Sequence, residues 1–173
     1  MLNALMESTL EPPDRHHLSA ALGWLGLGNW REALLELEKI SPQNRNAPAV
    51  LLTAYDVAAA SKDWGVAADI ADKMVDVMRD APGVWLSLAY AVRRKPGGGI
   101  QQARKILTKA DQKFPGEAMI AYNLSCYECQ LGNLEVARDW LDKAMARADA
   151  KQVRSLALKD PDLEPLWDEL RRR

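Results

Sequence analysis

Gly28-Asn29-Trp30-Arg31-Glu32-Ala33 returns as Lys62-Asp63-Trp64-Gly65-Val66-Ala67, so that a turn residue, a tryptophan and an alanine recur after 34 residues. Ala103 and Ala137 form a second pair with the same 34-residue separation. A fixed period of this length is the signature of stacked helical hairpins. Each hairpin can bury its apolar face only against its neighbours, which predicts an extended solenoid with a concave wall suited to binding other proteins.

Helix starts repeat with the same period. Asn46-Ala47-Pro48 recurs as Asp80-Ala81-Pro82, 34 residues on, and each is read as a capping side chain followed by a proline in the first turn, where the missing N–H costs nothing. The helix pairs inferred are 14–27 with 30–41, 47–60 with 64–79, 82–94 with 100–113, and 116–130 with 134–148. Ala67 and Ala103 are 36 residues apart. The two extra residues fall in Lys95-Pro96-Gly97-Gly98-Gly99, where a turn can lengthen without disturbing stacked helices.

These residues resemble the tetratricopeptide repeat family, whose pattern places Trp, Leu-Gly and an aromatic on the first helix and Ala, a large residue, Ala and Pro on the second. The third pair matches best, with Trp85, Leu88 and Ala89, then Ala103, Leu107, Ala110 and Pro115. The fourth keeps Leu124, Gly132, Ala137, Leu141 and Ala144, and the first keeps Trp24, Gly28, Trp30, Ala33 and Leu37. The second is weaker, with Ala71 and Met74 in the corresponding slots. The resemblance implies an all-α, right-handed α-solenoid of about four antiparallel helix pairs with extra helices at both ends. Its expected divisions are an N-terminal segment at 1–13, the repeats at 14–148 and capping helices at 149–173. Small residues at the helix crossings allow close approach, while Trp and Leu fill the space beside them.

Leu2, Leu5 and Met6, with Leu10 as a further candidate, have helical spacing in the N-terminal segment, which ends at Pro12-Pro13. In the tail a short helix is expected with Asp162 as N-cap, because that start puts Pro165 at a tolerated position and a start at Asp160 puts it too deep.

Apolar residues make up 48% of the 173-residue chain and charged residues 27%, the balance of a globular domain, and the net charge of −1 provides no global field toward nucleic acid or anionic membrane. No stretch reaches the roughly 18 apolar residues that span a bilayer. With no basic leader and no disulfide framework, a cytoplasmic location is expected.

Cys126 and Cys129 form a C-x-x-C, but past the middle of a helix and without a second ligand pair, so neither redox nor metal chemistry is expected of them. His16 and His17 point about 100° apart on a helix and lack a ligand partner at suitable spacing. Arg93-Arg94-Lys95 and the glycines that follow lack the Gly-Lys-Ser/Thr of a phosphate loop and read as a solvated charge run. No acid, base or nucleophile constellation is present, and neither enzyme activity nor a cofactor is expected.

The candidate site is the concave wall. Rotating one residue from the Trp85-Leu88-Ala89-Val92 stripe gives Leu86, Tyr90 and Arg93. The same rotation gives Leu18, Leu22 and Leu25 on the first repeat, Leu52, Asp56 and Ala59 on the second, and Met119, Tyr122, Cys126 and Cys129 on the fourth. Part of this largely apolar wall is buried by the N-terminal segment or by tight superhelical curvature, or else the wall is a dock for an apolar helix or strand. Relatives that clamp the C-terminal carboxylate of heat-shock chaperones use Lys, Asn and Arg where this chain has Leu18, Leu22, Thr53, Gly83 and Ser87, which argues against that role. The reading is a non-enzymatic adaptor or chaperone-like module that binds a protein or peptide segment, with homodimerisation through the same surface as the alternative. Nucleic acid, membrane and metal are not expected as partners.

Overall fold

The signature stretches turn the chain and cap the next helix in one device. Gly28, Lys62 and Gly132 adopt positive φ of 75°, 60° and 82°, reversing direction. The next residue then starts a helix. Asn29 accepts the Glu32 N–H at 3.3 Å and Asp63 accepts the Val66 N–H at 3.1 Å, satisfying donors that a helix start leaves unpaired.

The computed structural model describes residues 10–172. Every regular element among them is helical. In chain order they are α1 (Asp14–Gly26), α2 (Trp30–Glu38), a 3-10 turn (Pro42–Asn44), α3 (Pro48–Ala60), α4 (Trp64–Val77), α5 (Pro82–Arg94), α6 (Ile100–Lys113), α7 (Ala118–Gln130), α8 (Leu134–Arg147), α9 (Ala150–Ala157), a 3-10 segment (Pro161–Leu166) and α10 (Trp167–Arg172). The fold is of the α-solenoid class, built from helix pairs whose bounds follow the sequence reading closely. The helix expected from Leu2, Leu5 and Met6 lies outside the described residues.

The chain divides into two compact units at Gly97/Gly98, within the enlarged turn. In the first, α1 packs on α2 and α3, α3 on α4, and α4 on α5. Leu10, Leu18, Leu37, Ile40, Val50 and Val57 belong to one buried cluster there. In the second, α7 packs between α6 and α8, and the Pro161–Leu166 segment lies on α7.

Each second helix of a pair carries its signature alanine on a buried face. Ala33, Ala67, Ala103 and Ala137 are all fully buried. Where α7 crosses α8 the Ser125 hydroxyl of α7 donates to the Ala137 carbonyl at 2.7 Å, so the two helices are in contact at side chain and backbone alike.

Three local expectations are corrected. The residues before Pro48 and Pro82 that occupy the N-cap are Ala47 and Ala81, with extended backbone and no side-chain cap; Asn46 and Asp80 stand one position too early. Proline at the first helical position sets that frame, since the residue before it is held extended. Helix α2 stops at Glu38 rather than at 41, ahead of Ser41-Pro42. In the tail, Asp160 and not Asp162 is the cap, accepting the Asp162 N–H at 3.0 Å. Pro165 is accommodated because that stretch is a 3-10 segment, and the α-helix begins beyond it at Trp167.

Asp14 fixes the end of the first pair. Its buried carboxylate accepts the Ser41 N–H at 3.0 Å, the Ser41 hydroxyl at 2.9 Å and the Asn44 amide at 2.6 Å. The Ser41 backbone bond, followed by the Asn44 bond, holds its carboxyl below the usual 3.8. In the second unit, buried Glu128 has a similar part, taking Arg104 at 3.2 Å on each oxygen and the Asn133 amide at 2.7 Å.

Two measurements check this packing. Ala103→Leu or Ala137→Leu is expected to overpack a crossing and cost about 1–3 kcal/mol in denaturant unfolding; unchanged stability would remove those alanines from the crossings. A depressed carboxyl pKa contributes stability that is present above the unfolded value and lost as pH falls through the folded one. Wild type should therefore exceed Asp14→Asn in stability at neutral pH, with the gap narrowing below pH 3.8. A gap independent of pH would show that ionisation of Asp14 does not hold the turn.

Candidate interaction surfaces

The wall residues of the first unit occupy equivalent positions on α1, α3 and α5, each 34 residues from the next. Helix α1 contacts α3, and α3 is tied to α5 by the Tyr55 hydroxyl, which donates to the Ser87 carbonyl at 3.0 Å. Equivalent side chains therefore stand in rows across the helices: Leu18, Leu52 and Leu86; Leu22, Asp56 and Tyr90; Leu25, Ala59 and Arg93.

Their environments differ. Leu18 is 0% exposed and shares the core cluster with Leu10, so it belongs to the interior and not to an open wall. Leu22 and Leu25 are half-buried and pack on that cluster, and Leu52, Leu86 and Arg93 are half-buried as well. Asp56 is exposed, and Tyr90 is 43% exposed. The Tyr90 ring is held from two sides, by the edge of Trp64 with centroids 5.5 Å apart and by the Arg94 guanidinium 3.4 Å from its centre. Arg94 also donates to the Tyr90 carbonyl at 3.1 Å, so an accessible aromatic is fixed in place.

In the second unit the equivalent wall is covered by the tail. Tyr122 is 4% exposed and donates its hydroxyl to Asp160 at 2.9 Å, and the Cys126 thiol reaches the same oxygen at 3.5 Å. Burial first, and then the surrounding acidic and thiol groups, raise the Tyr122 phenol well above its ordinary range. Met119, by contrast, is 42% exposed at the start of α7 and lines a recess with Arg147, Val153 and Leu156. Tyr122 is thus a packing residue whose partner is the chain's own tail. The sequence predicts a capping tail but carries no sign that Asp160 reaches back to α7.

Cys126 and Cys129 are both buried, and neither is in a disulfide. Burial, with Asp162 and Asp160 nearby, pushes the Cys129 thiol up, opposite to the depression that a reactive thiolate needs. Among the described residues no group of three or more His, Cys, Asp and Glu is placed to hold a metal ion, and no helix is long and apolar enough to cross a membrane. His17 is engaged with Glu36 at 2.8 Å.

Sequence reasoning misses a second surface. An open cleft of about 410 Å³ lies between α2, α3 and α4, lined by Trp30, Leu34, Val50, Ala54, Val66 and Ile70 among others. Leu34 and Val66 are exposed although they belong to second helices, and apolar residues off the alanine stripe are the signal that could have found it.

Similarity to solved structures agrees with this geometry. The MamA RS-1 ArsTM double mutant matches with a TM-score of 0.69 at 13% identity over 86% of this chain and 83% of that one. TTC0263, a thermophilic TPR protein of Thermus thermophilus, matches with a TM-score of 0.65 at 19% identity over 91% of this chain and 82% of that one. The fold is that of the tetratricopeptide repeat. No protein-family model and no curated protein matches the chain. At these identities the likeness concerns the fold, and the surfaces are this chain's own.

The tail cover is open to a chemical test. A thiol reagent at neutral pH should leave both cysteines unmodified in the native protein and label them on unfolding. Rapid labelling of the folded protein would mean that the tail does not protect α7.

Proposed function

We propose that the protein is a non-enzymatic interaction module that binds a segment of another protein on the first-unit wall. The observation that supports this reading is the combination of Leu22, Leu25, Leu52 and Leu86, all half-buried, with the exposed Tyr90 ring held by Trp64 and Arg94. An apolar surface carrying a fixed aromatic desolvates a ligand's anchors at small entropic cost, because the helices are ordered before binding. Tyrosine and arginine are also the residue types that dominate interface energetics. The adaptor role and the cytoplasmic location belong to this reading.

Self-association through the same wall is the competing use, and concentration-dependent sedimentation separates the two. The test uses Leu86→Ser with Tyr90→Ser in the full chain. Loss of a central anchor pair is expected to weaken capture of a protein partner from native extract by about 2 kcal/mol or more. Stability should fall by less, about 1 kcal/mol for a half-buried leucine and an exposed tyrosine. A double variant that unfolds would return both residues to the core, and one that dissociates a dimer would favour self-association.

A further inference from the structure

The cleft between α2, α3 and α4 has an apolar floor continuous with the core. Leu37, Val50 and Val57 line it and belong to the buried cluster that also contains Leu10, and Trp30 and Ala54 line it and pack on that cluster. Its rim carries Leu34 and Val66, two exposed apolar side chains. Contiguous apolar surface of this kind marks a place where another segment packs.

The described chain begins at the mouth of this cleft. Asp14 is bonded to Ser41 and Asn44, and the residue after them, Arg45, lines the cleft together with Glu38, so the start of α1 stands beside that end. Leu10 is four residues upstream of Asp14 and so within about 15 Å of it. Residues 1–9 precede Leu10 and lie outside the described residues. In a helical register Leu2, Leu5 and Met6 share one face, while Asn3 and Glu7 fall on another. Nine residues of helix extend about 13 Å, and the stretch of α2 that lines the cleft, Trp30 to Glu38, extends about 12 Å.

From this agreement of position, length and apolar pattern we infer that the cleft is the docking site of the chain's own N-terminal segment, residues 1–9, with Leu2, Leu5 and Met6 set against Leu34, Val66 and the cluster beneath them. The inference is independent of the reading of the wall as a binding surface. The tail offers a parallel in the second unit, where Asp160 reaches back to cover α7. Tethering carries the energetics. A segment joined through a short linker is present at millimolar effective concentration, so an affinity of only about 0.1 mM fills the cleft about tenfold over empty.

The test places a thiol on the rim of the cleft. Cys126 and Cys129 are buried, so Leu34→Cys or Val66→Cys in the full chain supplies the reporter. Adding Leu5→Asp with Met6→Asp should speed its labelling by a thiol reagent about tenfold, the occupancy that is lost. Val77→Cys, at an exposed position of α4 outside the cleft, should label at one rate in both backgrounds. As a second measurement, Leu5→Cys with Leu34→Cys should form an intramolecular disulfide on mild oxidation, and Leu5→Cys with Val77→Cys should not; if the aspartate variant does not fold, this pair decides. Rim thiols that label at the same rate in both backgrounds overturn the inference. Protection found at Tyr90→Cys instead places the segment on the wall and overturns it too. Protection that disappears on dilution, with disulfides between chains, gives the cleft to the segment of a second copy and overturns the intramolecular docking.

Discussion

Everything in this molecule depends on alanine at the helix crossing. With Ala33, Ala67 and Ala137 fully buried, α2, α4 and α8 can approach α1, α3 and α7 closely. Interiors at crystal-like density have no room for a larger side chain at such a point. The Ser125 hydroxyl bonded to the Ala137 carbonyl is the clearest instance, because there a side chain of one helix meets the backbone of the other. The crossing in turn sets which faces of the first helices remain outside the core, and hence where a binding surface can form.

The two units use their equivalent faces differently. In the first, the wall stays accessible at Asp56 and Tyr90 while Leu18 is drawn into the interior with Leu10. In the second, the tail occupies the face, and Asp160 collects the Tyr122 hydroxyl and the Cys126 thiol. The same repeat position can therefore be core, open surface or seat for a terminal segment. That choice is made by what lies beside it, as the terminal units of repeat proteins require a covered face.

Electrostatics separates positions that support the fold from those available for recognition. The carboxylates of Asp14 and Glu128 are buried and satisfied, each by two residues from other parts of its unit. Asp56 is exposed and makes no hydrogen bond or ion pair among the described residues. A buried carboxylate with its bonds filled fixes geometry, whereas an accessible one without a partner has capacity left for a ligand.

The sequence by itself determined the helix pairs, their period and the second helices' alanine stripe, because these depend on local turn chemistry and on spacing within one hairpin. Asn29 and Asp63 cap helices within three residues of themselves, and such short-range effects are legible in a linear string. Rotation from Trp85 gives an expected wall with Leu86 and Tyr90 among its members, the first half-buried and the second exposed. Only the tertiary structure decided which wall residues are open. Leu18 is buried beside Leu10, Tyr122 is covered by a tail 38 residues away, and the cleft beside Leu34 and Val66 needs three helices to form. Exposure is a property of all the atoms that surround a side chain, and no period in the sequence encodes which distant segment will supply them.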